Sequence, residues 1–302
     1  MEFVDKKIGV KWAHPLLKSF LDRCSQCDPY PSNLYDAMKA DVDTDMTANP
    51  KQETTYKRLL IGILDESHNG LTLPSGEGCC CYCMRTIKAN DTHSTLEHVI
   101  PNKTPDAKTY STYYDVPSEL VKDENVMVFK EVFIRRHKKT SPPFPHNVAY
   151  ENLVASCDGS LPKGSKNHLC CNNPRGDEYM PPFIFMKNIH QEFKYRPTTG
   201  YVVWKDNPHV SSRERMSVVN QRLNLNDAIL RMIRMLWYYL ALNQMDCRLT
   251  NAQRRMVIDS FRPHCPPLDK EMLQNFMDDD YWSLLEEYQY FNNVAVFDNP
   301  NP

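Results

Sequence analysis

The chain has 302 residues, a net charge of −2, 25% charged and 41% hydrophobic residues, a balance that fits one large globular domain or two ordinary ones. No run approaches the ~20 consecutive apolar residues of a membrane span, and Met1-Glu2-Phe3-Val4-Asp5-Lys6-Lys7 lacks the apolar core of a secretory signal. A cytoplasmic protein with no membrane partner is therefore expected.

Three regions follow in chain order: 1–75, 76–180 and 181–302. In the first, Trp12, Leu16, Leu17, Phe20 and Leu21 recur at helical spacing, and Asp28-Pro29-Tyr30-Pro31-Ser32 breaks that helix. Thr44 to Lys51 reads as a polar connector, and a second apolar stretch runs from Leu59 to Leu64. Leu73-Pro74-Ser75-Gly76-Glu77-Gly78 is a hinge into the second region, where cysteines crowd between Cys79 and Cys83 and between Cys157 and Cys171. The stretch 102–147 between them reads as an insertion with some structure of its own, since so long a bare loop is uncommon in a compact domain.

In the third region, Phe193 to Trp204 alternates as a hairpin with Thr199-Gly200 at its turn. Met216 to Met245 reads as one long apolar helix that buries Leu230, Ile233, Leu236 and Trp237. Thr250-Asn251-Ala252-Gln253 fits a capping box opening a helix to Phe261. Pro263, Pro266 and Pro267 stop that helix, and two shorter ones finish the chain.

Eleven cysteines in a cytoplasmic chain favour metal binding over a disulfide framework. Cys80 and Cys83 form a C-x-x-C pair, and Cys157 with Cys171 supplies a second pair. Four thiolates close a tetrahedral structural Zn2+ site. The register stays open among Cys79, Cys80 and Cys81 and between Cys170 and Cys171. Gly, Asn, Lys and Ser flank both clusters, which argues against plain buried thiols. Cys24-Ser25-Gln26-Cys27, Cys247 and Cys265 have no partner pair and read as helix core or surface.

Between the clusters, Ser94-Thr95-Leu96-Glu97-His98-Val99-Ile100-Pro101 reads as a short strand entering a proline-stopped turn. A carboxylate beside a histidine supplies a hard oxygen ligand and a base poised near neutral pH. Phosphodiester hydrolysis needs both: activation of water, and a cation at the departing oxygen. Strand neighbours point to opposite faces, so Glu97 and His98 serve one site only if the strand ends there. Further on, Asn173-Pro174 suits a helix start with Asn as cap. That places Asn172 and Arg175 at a helix mouth where phosphate is favoured. His93, His146 and His168 read as polar surface. Lys130 to Lys139 holds five Lys or Arg, one Glu and His137, a solvated face or a DNA-backbone contact.

Taken together, C-x-Y-C, E-H, E-N-L-x-x-S-C and C-N-x-x-R-G over Cys79 to Gly176 resemble the zinc-stapled form of the HNH, or ββα-metal, nuclease family. More narrowly, the chain resembles the HNH subunit of Septu-type and retron-associated anti-phage systems. That group carries a long insertion before the asparagine and a later Leu-Asn-Leu-Asn element, here Leu223-Asn224-Leu225-Asn226 with Arg231 or Arg234 after it.

The resemblance implies an α+β fold with a ββα-metal nuclease core and structural zinc, embedded in a mostly helical protein. It implies His98 as general base and Glu97 and Asn172 as ligands of a catalytic Mg2+ or Mn2+. Asn152 would brace the loop that orients His98. Arg175, where a Lys is more usual, would contact the scissile phosphate. Arg135, Arg136, Lys138 and Lys139 would bind nucleic acid. The implied activity is DNA cleavage under the control of an ATPase subunit, docked on the acidic C-terminal helices or the N-terminal ones. The same site on RNA, such as tRNA, and a zinc-stabilised binding module without catalysis are the competing readings.

Overall fold

The computed structural model describes residues 1, 4, 6–38, 77–88, 94–102, 147–162, 166–178, 180, 183–185, 189–204 and 212–298. The connector 44–51, the apolar stretch 59–64, His93, His146 and the interior of the insertion fall outside these residues. So does the basic run with Arg135, Arg136, Lys138 and Lys139.

Among the described residues, helices and three small antiparallel sheets make a mixed α+β fold. Helix α1 (Lys6–Ser25) buries Leu17, Phe20 and Cys24, with Leu16 and Leu21 packed alongside. It ends ahead of the prolines at 29 and 31, and a helical turn over 34–38 follows. Strands β1 (Glu77–Cys79) and β2 (Thr86–Lys88) pair with Cys79 opposite Thr86. Strands β3 (Ser94–His98) and β4 (Leu153–Cys157) pair across the insertion, with His98 opposite Leu153 and Ser94 opposite Cys157. All five β4 residues are buried, as their apolar and small side chains allow on a strand covered on both faces.

One turn of helix, α2 (Asn172–Arg175), follows the second cysteine cluster. Its cap is Cys171 at φ +56°, so Asn173 lies inside the turn, not at its start. Next come α3 (Ile189–Glu192) and the hairpin β5 (Phe193–Tyr195) to β6 (Val202–Trp204). Gly200 turns this hairpin at φ +67°. A Cβ there would lie 2.2 Å from the Arg231 carbonyl oxygen, so only glycine lets the hairpin tip sit this close to the next helix.

The expected single helix over Met216–Met245 is broken. Helix α4 (Ser212–Ser217) runs into a π-helical turn, Val218–Arg222, and α5 (Ala228–Leu242) starts afresh. The break is the Leu-Asn-Leu-Asn element. The Leu223 carbonyl accepts from Cys171 N–H (2.8 Å), Asn224 sits at φ +44° and donates to the Leu169 carbonyl (2.8 Å), and Asp227 caps α5 through Ile229 N–H. Tertiary bonds and a strong N-cap outweigh the continuous apolar period.

Helix α5 is the centre of the C-terminal core and buries Ile229, Leu230, Ile233, Leu236, Trp237 and Leu240. Helix α6 (Asn251–Phe261) begins at a reciprocal Thr250/Gln253 capping box. Helices α7 (Lys270–Asn275) and α8 (Asp279–Glu287) follow. Trp237 and Trp282 each satisfy their ring N–H on a carbonyl, Leu285 and Cys247 respectively, which fastens α8 to α5. Among the described residues no helix is long and apolar enough to cross a membrane.

Candidate metal centre and adjoining cleft

The turn between β1 and β2 is a tight knuckle. Cys80 N–H donates to the Arg85 carbonyl (2.7 Å), Met84 N–H donates to the Cys80 carbonyl (3.1 Å), and Met84 takes φ +69°. The second knuckle has a similar build, with Cys170 N–H donating to the Gly159 carbonyl at 2.8 Å. A Cβ on Gly159 would lie 2.2 Å from the Cys170 carbonyl oxygen, so this approach needs glycine. Both knuckles present thiols to one point.

At that point the sulfurs of Cys80, Cys83, Cys157 and Cys171 all lie within 4.8 Å of one another, fully buried. Cys80–Cys171 and Cys83–Cys157 are each 3.7 Å apart. A tetrahedron with zinc–sulfur bonds of ~2.3 Å has sulfur–sulfur edges of about 3.8 Å, whereas a disulfide needs ~2.05 Å. All eleven cysteines are free thiols. The four residues could hold a zinc ion; this set includes Cys80 and Cys171 and leaves out Cys79, Cys81 and Cys170, although the Cys170 sulfur lies 3.5 Å from that of Cys171.

The thiols' acidities fit shared protons that a cation would replace. Burial raises Cys83, but hydrogen bonds with Cys157, Cys170, Cys171 and Cys80 hold it well below its ordinary value. Cys157, raised first by its hydrogen bond with Cys170, and Cys171, raised first by burial, move the other way. Cys81 points elsewhere: burial, then the charges of Cys80 and Glu97, push its thiol well above its usual range.

The centre is also tied to the C-terminal region, which the sequence did not suggest. The Tyr288 hydroxyl lies 3.6 Å from the Cys83 sulfur. Arg85, buried beside the knuckle, donates to Glu287 (2.6 Å) and to the Ser160 carbonyl (2.8 Å). Cys24 and Cys27 lie in and just after α1, the first buried and the second exposed, while Cys247 and Cys265 are buried. None of these four joins the centre.

Next to the centre, a cleft of about 350 Å³ opens over the end of β3, lined in part by Glu97, His98, Asn172, Asp177 and Tyr35. Strand β3 ends at His98, so both members of the Glu-His pair reach this one cleft. The Nε2 of His98 lies 2.8 Å from the Asn147 carbonyl oxygen. A carbonyl only accepts, so Nε2 carries the proton and the lone pair of the neutral ring lies on Nδ1. The Tyr35 ring meets the imidazole edge-on at 4.4 Å, and its hydroxyl donates to the Leu96 carbonyl (3.1 Å). Asn152, fully buried, grips the turn after His98: Oδ1 accepts from Ile100 N–H (2.7 Å) and Nδ2 donates to the Ile100 carbonyl (3.0 Å).

Arg175 stands differently from the expected phosphate contact. It is 1% exposed. Its guanidinium pairs with Glu97 and donates to the carbonyls of His98 (2.8 Å), Val99 (2.5 Å) and Glu178 (3.2 Å). It therefore positions Glu97 and the end of β3 from inside, and its side chain is sealed from an incoming phosphate. Burial pushes the Glu97 carboxyl up to about 7 against the pull of Arg175, with Asp177 adding to the rise. Arg175 engages Oε1 of Glu97.

Sequence reasoning missed Tyr35 and Asp177. Tyr35 is 63 positions from His98 in the chain, with nothing in its spacing to mark it. Asp177 directly follows the C-N-x-x-R-G run and was within reach of a search for oxygen ligands. His168 is half-buried and bonds Asp227 at 3.0 Å, a support for the start of α5 more than open surface. Comparison with known protein families, characterised proteins and solved structures finds no match for this chain.

Proposed function

We propose that this chain is a metal-dependent HNH-type endonuclease that hydrolyses DNA phosphodiester bonds. The observation that carries the reading is the convergence of Glu97, His98 and Asn172 on one cleft beside a four-cysteine centre suited to zinc. The order β3, β4, short α2 supports a ββα-metal core, since both strands and the helical turn supply either a thiol or a cleft residue. Cys80, Cys83, Cys157 and Cys171 would hold Zn2+, and Glu97 with Asn172 would hold Mg2+ or Mn2+, which supplies charge neutralisation at the phosphate. His98 takes the proton of the attacking water at Nδ1, its other nitrogen fixed by the Asn147 carbonyl. Asn152 and Arg175 hold the backbone on which His98 and Glu97 ride.

The Septu-like resemblance supports an anti-phage complex with an ATPase subunit. Helices α7 and α8 bury Leu273, Trp282, Leu284 and Leu285 in the core, so a docking surface there would be the exposed Asp278, Asp280 and Glu286. Reversing these three charges should abolish capture of the ATPase, and unchanged capture would exclude this face.

The test of the activity is incubation of purified protein with plasmid DNA and, separately, with tRNA, each with Mg2+ or Mn2+ and with any co-purifying ATPase. DNA cleavage supports the proposal. Cleavage of tRNA alone would move the substrate to RNA, and cleavage of neither would favour a non-catalytic binding module.

A further inference from the structure

Arg234 on α5 is fully buried, a costly position for a permanent cation unless an opposite charge lies near. One guanidinium nitrogen donates to the Gly200 and Leu225 carbonyls, at 2.9 and 2.8 Å. Its Nε and Nη2 are buried with no hydrogen-bond partner, and among the described residues no carboxylate lies within ion-pair distance. Two other buried arginines have acids: Arg85 has Glu287 and Arg175 has Glu97.

What surrounds Arg234 leads toward the metal centre. The guanidinium lies over the Tyr195 ring (4.8 Å) and the Phe291 ring (5.6 Å). Phe291 stacks on Tyr288 at 6.2 Å, and the Tyr288 hydroxyl lies 3.6 Å from the Cys83 sulfur. Burial lowers the Arg234 pKa, while Tyr195, Tyr288, Cys83 and Cys170 act to raise it. Zinc bound by four thiolates carries a net charge of −2, so the centre is itself a buried anion. Arg85 sets one positive charge beside Cys157 but shares it with Glu287, so it does not neutralise the centre alone.

We infer that Arg234 is a second counter-charge of the zinc–thiolate centre beside Arg85, a positioning residue that stabilises the metal-loaded form across the Tyr288–Phe291 stack. The inference rests on zinc occupying the four cysteines. It accounts for a buried guanidinium without a carboxylate, and it couples the C-terminal core to the metal.

The test is zinc affinity, measured by competition with a chromophoric chelator, for wild type, Arg234→Gln and Arg234→Lys. Metal analysis of the wild type comes first. One zinc per chain is expected, and a wild type without zinc overturns the zinc reading and this inference together. With zinc present, Arg234→Gln, which removes the charge and keeps a polar amide, is expected to weaken zinc binding by about 10- to 100-fold, the scale of outer-shell effects. Arg234→Lys, which keeps the charge, is expected to bind zinc clearly tighter than Arg234→Gln does. A Gln variant that does not fold beside a Lys variant that folds and holds zinc also supports the charge role. Zinc binding unchanged in Arg234→Gln, or equal losses or equal misfolding in both variants, overturns the inference while leaving the zinc centre standing.

Discussion

Arg175→Met removes the guanidinium and keeps most of the side-chain volume. It leaves the Glu97 carboxylate buried without its partner and deprives the His98, Val99 and Glu178 carbonyls of a donor. Breaking one side of a buried ion pair costs about 3–5 kcal/mol, against a total stability of about 5–15 kcal/mol for a typical domain. At an m-value of about 4 kcal/mol per molar guanidinium chloride, the unfolding midpoint falls by about 1 M. The assay is equilibrium denaturation of the zinc-loaded protein, followed by fluorescence. Adding Glu97→Leu removes the stranded carboxylate, so the double variant should lose about 1–3 kcal/mol less than the two single losses summed. A loss below about 1 kcal/mol in Arg175→Met, accompanied by weaker DNA binding, would refute the inward-facing role and restore the phosphate contact.

Three further outcomes follow from the same geometry. Cys83→Ser should eliminate bound zinc and the cooperative unfolding transition, whereas Cys81→Ser should retain one zinc per chain by metal analysis, because Cys81 lies outside the four-sulfur cluster. Asn152→Ala orphans Ile100 N–H and C=O, both bonded by its side chain, and should cost about 2–3 kcal/mol in denaturation. Glu97→Gln should remove a pH slope in divalent-free buffer. The carboxyl stands at about 7 in the fold against an ordinary 4.5, so the folded state holds the extra proton and stability drops as pH rises through that interval. The Gln variant should therefore gain on wild type between pH 5 and pH 8, and a parallel profile would contradict the shift.

The parts of the site that were legible in the sequence are those set by local spacing. Cys80 and Cys83 need only one tight turn to face one ion, and Ser94 to Pro101 reads as a strand that stops because alternation and proline are both local signals. The Phe193–Trp204 hairpin and the Thr250 cap are of the same kind. What stayed hidden depends on contacts across the chain. The break before α5 is made by Cys171 and Leu169 bonding to the Leu-Asn-Leu-Asn element, while the apolar period of that segment continues unbroken. The inward turn of Arg175 depends on three carbonyls whose direction no spacing reveals, and Tyr35 reaches the cleft only because the segment after α1 packs beside β3.

The most direct test of the central claim is plasmid cleavage by zinc-loaded wild type and His98→Ala, each with Mg2+ or Mn2+ and with the ATPase partner where one co-purifies. The account predicts nicked or linear product with wild type and none with His98→Ala, at equal zinc content and equal thermal stability. Equal cleavage by the two proteins would remove His98 from the chemistry and contradict the account.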